Sequence, residues 1–136
     1  YDLIVLSGPT WSYNPSGPIL SLLDRDGRKL FSGRQVLPLL SCRGFYRLHD
    51  FLLRLQLSRL GAELQKSLIF AHPVPEPWST IGVLLKSSGY CPEKMKYLGT
   101  RFPHFGHTVN QLHQARIRGR QTGLKLRAAR RQNESR

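Results

Sequence analysis

The sequence has few acidic residues, few cysteines and no long apolar run. Eight Asp and Glu stand against 21 Lys and Arg, which gives a formal net charge of +13 over 136 residues. The two cysteines, Cys42 and Cys91, lie outside any CxxC pattern. Two reduced thiols are the favoured interpretation, and a disulfide between them is the alternative. No apolar stretch approaches the ~18 residues that a membrane span needs.

Catalytic and metal-binding motifs are also missing. The chain contains no Gly-rich phosphate loop, no GxSxG and no HExxH, and its acids are scattered singly, so no general acid–base pair is indicated. His104, His107 and His113 match no standard zinc spacing with Cys91. We therefore expect no enzymatic activity, no metal and no other cofactor.

The surplus of positive charge predicts a polyanionic partner. A folded domain gains nothing from self-repulsion of this size unless a partner cancels it, and nucleic acid is the usual partner because neutralised phosphates release counterions. The 15 Arg outnumber the 6 Lys, and Arg forks onto phosphates and stacks on bases. A basic protein without a nucleic-acid partner is the alternative.

The charge is concentrated at the C-terminal end, which divides the chain into a domain (1–100) and a basic extension (101–136). The extension carries nine Arg or Lys and one acid, Glu134. We expect Gly119 and Gly123 to interrupt any helix there, and the segment to order against RNA. A disordered solubilising tail is the alternative. The sequence begins at Tyr1 rather than Met; a removed targeting peptide would explain this, and so would a trimmed chain.

Apolar patterns and turn residues predict the order strand, helix, strand, long helix, strand, strand, helix. The predicted ranges are 3–6, 14–23, 35–42, 45–60, 67–71, 80–86 and 92–98. Asp26-Gly27 ends or turns the first helix, Pro38 moves its strand toward a sheet edge or a bulge, and Gly61 stops the long helix. The fold class is therefore α+β, a mostly antiparallel sheet with helices packed on one face, plus a basic extended or helical C-terminal tail.

The long helix has a clear apolar face and supplies several candidate RNA contacts. Leu48, Phe51, Leu52 and Leu55 follow the i, i+3, i+4, i+7 pattern of a buried face, and Phe45 and Tyr97 are interpreted as core residues. Arginines are costly to bury unpaired, so the basic side chains are predicted to contact RNA. They are Arg34, Arg43, Arg47, Arg54, Arg101, Arg116, Arg118, Arg120, Lys125, Arg127, Arg130 and Arg131.

Four segments, in order, resemble the bacterial-type large ribosomal subunit protein five family. Asn14-Pro15 and residues 30–35 (LFSGRQ) resemble its NP…LxTGQKP segment, and 42–55 (CRG…DFLLRL) resembles its LRG…FLDRL helix. Residues 67–70 (SLIF) resemble its QLIFPEI strand. Thr80-Ile81, Lys86-Ser87 and 96–99 (KYLG) resemble ITIVTTAKT…LLKALGF. The resemblance covers about residues 3–103 and implies an α+β fold in the central protuberance, bound to ribosomal RNA, which in the family is mainly 5S rRNA.

Two departures from the family bear on function. Only residues 36–41 fill the place of the family's long basic hairpin, which leaves contact with P-site tRNA in doubt. The chain also continues through 104–136, where the family ends. Lost loops and an added basic tail suit a mitochondrial ribosome, so we expect a structural constituent of the mitochondrial large subunit, located in the matrix, with rRNA and neighbouring ribosomal proteins as partners and no membrane or small-molecule substrate. A free-standing or viral RNA-binding accessory protein is the alternative.

Overall fold

The computed structural model describes residues 1–11, 13–42, 46–75, 77–102 and 107–134. Within these ranges the chain forms five strands, four α-helices and one 3-10 helix. They are β1 (Ile4–Trp11), β2 (Asn14–Pro15), α1 (Gly17–Phe31), β3 (Gln35–Cys42), α2 (Tyr46–Arg59), β4 (Glu63–Leu64), β5 (Leu68–Ala71), α3 (Trp78–Ser87), the 3-10 helix (Pro92–Lys94) and α4 (Val109–Glu134).

The sheet is mixed, and most of its pairings are parallel. The central strand β3 runs parallel to β1 on one side and to β4 and β5 on the other, whereas β2 pairs antiparallel with β1. The α+β class is confirmed, but the mostly antiparallel sheet predicted from the sequence is wrong. Helices α1 and α2 are the crossovers that parallel neighbours require.

Pro38 lies in the central strand rather than at an edge, and its effect appears in the neighbouring strand. The carbonyls of Val36 and Cys42 accept bonds from the β4–β5 side. The backbone N–H and C=O groups of the even-numbered residues of β3 therefore point toward β4 and β5. Pro38 has no N–H to donate there. The register changes there: Gln35 pairs with Glu63, but Leu39 pairs with Leu68. Residues 65–67 thus form a bulge in the partner strand, whereas the sequence predicted an edge or a bulge for the strand of Pro38 itself.

One hydrophobic core lies between the sheet and helices α1 and α2. The sheet contributes Leu6, Val36 and Leu40. The facing helical side chains are Ile19, Leu23, Phe31, Leu53 and Leu57. Both helices therefore cover the same face of the sheet, as predicted, while α4 lies over the opposite face, beside Leu37 and Leu68.

Helix α1 runs past the Asp26-Gly27 stop that the sequence predicts. Ser16 precedes the helix in extended conformation and a proline occupies its first turn, where the missing N–H costs nothing. Gly27 is buried at mid-helix, and a Cβ built on it would lie 2.7 Å from a methyl carbon of Leu60. Gly27 therefore allows close contact between α1 and the end of α2, instead of ending the helix.

Helix α2 buries a different face from the one its periodicity indicates. His49, Leu53 and Leu57 are completely buried, whereas Phe51 keeps 62% of its surface exposed. Leu48, at 50%, is also exposed, so the predicted inward face points mostly to solvent. The predicted end of the helix is confirmed, because Gly61 follows with φ +82°, a backbone conformation that glycine adopts without strain.

Residues 80–86, predicted as a strand, belong to helix α3. The helix turns its small residues Ser79 and Gly82 inward, and Gly82 lies against the ring of Phe102, which is 2% exposed. Packing against Phe102 thus outweighs the strand preference of this β-branched run. In place of the helix predicted at 92–98, the structure has only the 3-10 helix Pro92–Lys94. Phe102 packs against α3 although it lies beyond the predicted domain boundary at residue 100.

Helix α4 is continuous through Gly119 and Gly123, so the predicted interruption is wrong. Gln111 N–H donates to Thr108 Oγ1 (3.2 Å) and Thr108 N–H donates to Gln111 Oε1 (3.0 Å), which is a capping box. Gln111 Nε2 also donates to the carbonyl of Ala71 at the end of β5 (2.6 Å). Each glycine costs about 1 kcal/mol in a helix, but the Ala, Leu, Gln and Arg around them favour it. Among the described residues, no helix is long and apolar enough to cross a membrane.

Candidate nucleic-acid interface

Four exposed arginines project from one side of α4. They are Arg116, Arg120, Arg127 and Arg131. At about 100° per residue, their spacing keeps them within about 60° of one another and spreads them over about 22 Å of helix. The half-buried residues Gln111, Ala115, Thr122 and Leu126 lie on the other side, toward the sheet. We call the four side chains the arginine ridge; such a row can contact successive phosphates.

A second set of cations lies on the opposite flank of α4. Arg118 and Lys125 line a cavity of about 310 Å³ between the helix and the β4–β5 edge, together with Lys66. Lys66 belongs to the bulge that faces Pro38. We call these three side chains the groove cations. Lys66 was not among the residues predicted to contact RNA, since only the bulge and the docked helix bring it close to the other two.

The remaining predicted arginines do not join these two groups. Arg47, in the first turn of α2, lines a cavity of about 380 Å³ with Tyr13, Tyr46 and Leu48. Arg34 is exposed directly before β3. It therefore lies at the start of that strand, whereas Arg47 follows the end of the strand. Both side chains are accessible, so each can still contact a nucleic acid by itself.

Two predicted RNA contacts are engaged within the fold. Arg54 Nη1 donates to the carbonyl of Gln65 (2.9 Å) and to Ser67 Oγ (3.3 Å), which fixes the bulge. Arg101 stacks over the Trp78 ring, 4.5 Å from its centroid. We assign Arg54 to the support of the bulge and Arg101 to a cation–π contact.

Arg130 has an interaction of its own and is not counted in the ridge. Arg43 lies outside the described residues, as does Phe45, one of the two predicted core aromatics. The other, Tyr97, is 86% exposed, so its assignment to the core is wrong. Both cysteines are free thiols, Cys42 buried and Cys91 exposed.

A buried polar cluster lies where β1 and β3 end and α2 begins. Thr10 Oγ1 and His49 Nδ1 are 2.7 Å apart, and Nε2 of this histidine has no hydrogen-bond partner within the described residues. Burial lowers the pKa of His49, although the charge of Asp50 opposes the shift. Burial also raises the pKa of the Cys42 thiol, against a smaller opposite effect of its hydrogen bond to Thr10. His49 is therefore held neutral in the fold.

The lowered pKa of His49 predicts a pH-dependent stability. Well above pH 6.5, its ordinary pKa, His49 is neutral in both the folded and the unfolded state. As the pH falls below this value, the unfolded chain takes up a proton that the folded chain does not, so the free energy of unfolding decreases until the folded pKa is reached. Urea unfolding followed by circular dichroism at a series of pH values above 5 is expected to show this loss.

The control for this prediction is His49→Leu, which removes the titrating ring and keeps similar volume. Every other residue is the same in both proteins, so the difference between the two pH profiles isolates His49. An unchanged pH dependence in His49→Leu would contradict the assignment.

Two features were missed by sequence reasoning for different reasons. The position of Lys66 depends on contacts with distant segments, whereas the Thr108–Gln111 cap is local and its Thr-x-x-Gln spacing is readable in the sequence.

For comparison with known proteins, the chain matches no protein-family model and no curated protein.

Proposed function

We propose that this chain is a non-enzymatic RNA-binding protein that forms a structural part of a ribonucleoprotein. The arginine ridge is the observation that carries the proposal. Helix α4 holds seven Arg or Lys and a single acid, Glu134, at its last residue. A row of guanidinium groups on one side of a helix that carries a single acid, at its end, fits a phosphate backbone, because each contact is charge-assisted and releases counterions.

Within that class, we propose the mitochondrial large ribosomal subunit as the assembly and ribosomal RNA near the central protuberance as the ligand. The resemblance of residues 14–15, 30–35, 42–55 and 67–70 to the large-subunit protein five family supports this. Residues 80–86 do not add to this support, because they were predicted as a strand and are helical here. The proposal of RNA binding does not depend on the family.

RNA affinity is expected to fall steeply with salt. If the four ridge arginines each neutralise one phosphate, log affinity against log salt concentration has a slope of about −3, at 0.7 to 0.9 per contact. Fluorescence anisotropy of the full chain with a labelled ribosomal RNA fragment over a KCl series measures it. Binding that is weak at low salt, or independent of salt, would overturn the proposal.

Sedimentation decides which ribonucleoprotein is involved. A sucrose-gradient fractionation of mitochondrial lysate, with the protein detected by antibody, is expected to place it with the large subunit, and release by high salt would match the ridge. Recovery only in the light fractions, with RNA binding intact, would favour the free-standing accessory protein. Sequencing of the co-purified RNA shows whether 5S rRNA is a partner.

A further inference from the structure

The groove cations concentrate positive charge at one site. Lys66, Arg118 and Lys125 are all exposed and line one cavity of about 310 Å³. A neighbouring cavity of about 440 Å³ shares Lys66, Leu68 and Arg118, and we call the two cavities together the groove. The described residues that line the two cavities include no carboxylate. Three like charges around one cavity repel one another, so an anion bound there relieves the repulsion.

The site is built on a fixed support. Lys66 lies in the bulge at 65–67, which faces the proline of β3. Arg54 of α2 donates to the Gln65 carbonyl, and Ser67 Oγ donates to Asp50 Oδ1 at 2.5 Å. Both neighbours of Lys66 are thus tied to α2, while the capping box and the Gln111–Ala71 bond set where α4 begins. The backbone of the groove is in place before any ligand arrives, which reduces the entropic cost of binding.

The groove and the arginine ridge lie on different sides of the same helix. At about 100° per residue, Arg118 and Lys125 project roughly opposite to the mean direction of the ridge. One nucleic-acid duplex lying along the ridge therefore leaves the groove free. The groove also differs in chemistry, because Leu68 and Phe70 line it together with Ile117, and such apolar walls suit the sugar and base that flank a phosphate.

We propose that the groove binds phosphates of a second RNA segment, so that α4 bridges two RNA segments, one on the ridge and one in the groove. This inference rests on the proposed RNA-binding function and deepens it. The helix then acts as a charged spacer between two strands that repel each other, and each phosphate set is met by its own cations.

The test is a bridging assay with the full chain. A biotinylated RNA duplex on streptavidin beads is incubated with the protein and with a second, fluorescent RNA. Wild-type protein is expected to capture the fluorescent RNA. The variant K66Q/R118Q/K125Q is expected to lose about ten-fold or more of the capture, while its affinity for one RNA falls only about three- to five-fold, because the ridge remains.

The matched control is R28Q/K94Q/K96Q, which removes three exposed charges away from α4. Both variants lower the formal net charge from +13 to +10, so a loss of capture confined to the groove variant excludes a mere effect of net charge. Competition with inorganic phosphate distinguishes the sources of the anion: displacement of RNA only at high concentration supports an RNA strand, whereas tight binding of free phosphate that blocks capture overturns it.

The outcomes separate the two proposals. If wild-type protein binds one RNA tightly and captures no second one, the bridging inference is wrong and the RNA-binding function stands. If it binds no RNA, the proposed function fails first. Equal capture by the groove variant, for example through dimers seen in light scattering, also overturns the inference.

Discussion

Replacing all four ridge arginines by glutamine is expected to weaken RNA binding by about three orders of magnitude at moderate salt. Each lost phosphate contact removes 0.7 to 0.9 from the salt slope, which is about five-fold in affinity per contact near 0.1 M salt. Glutamine is nearly as good a helix former as arginine, so the helical content of α4 should not change. Anisotropy titration and circular dichroism of the same samples measure both quantities.

The control is a second quadruple variant with the same formal charge. R28Q/K29Q/K94Q/K96Q removes four exposed cations outside α4 and, like the ridge variant, lowers the net charge from +13 to +9. It is expected to lose less than about five-fold, because distant exposed charges are screened by salt. If both variants lost affinity equally, binding would follow net charge and the ridge would have no special part in it.

Leu53→Ala is expected to lower the free energy of unfolding by about 3 kcal/mol, since the side chain is completely buried in the core between α2 and the sheet and truncation leaves a cavity. Phe51→Ala removes a larger side chain two residues earlier, yet it should cost below about 1 kcal/mol because surface substitutions rarely cost more. Urea unfolding of the two variants at neutral pH gives the comparison.

The ranking of these two variants is the decisive quantity. Phe51 lies on the apolar face that periodicity predicts to be buried, whereas Leu53 lies on the face that the structure buries. A larger loss for Phe51→Ala would mean that α2 is rotated toward the predicted face. His49→Leu tests the same assignment of the buried face of α2, because His49 lies on that face together with Leu53.

Sequence patterns predicted most elements of the body but not which of two similar faces is inside. Helix α2 has leucines on both sides, so periodicity alone could not separate Leu53 and Leu57 from Leu48 and Leu55. Residues 80–86 were misassigned for a related reason. Ile81 and Val83 favour a strand locally, and the helix is explained only by the contact of Gly82 with the ring of Phe102.

The candidate site was partly predictable. The basic composition of the C-terminal extension is visible in the sequence, and the i, i+4 spacing of Arg116 and Arg120 becomes a ridge once the segment is helical. The sequence predicted an extended or helical tail interrupted at Gly119 and Gly123, whereas the segment is one continuous helix. Lys66 could not be assigned, because its position depends on the strand register and on where α4 lies.

The bulge opposite Pro38 also sets the phase of the last strand. Leu64 and Ile69 both pack against the core, although they are five positions apart in the sequence, an odd offset, and alternation in an uninterrupted strand would send one of them outward. The extra residue in the bulge shifts the alternation by one position, so that both side chains point to the core. The extra residue opposite Pro38 thus sets which side chains of β5 point inward and which, Leu68 and Phe70 among them, lie toward α4.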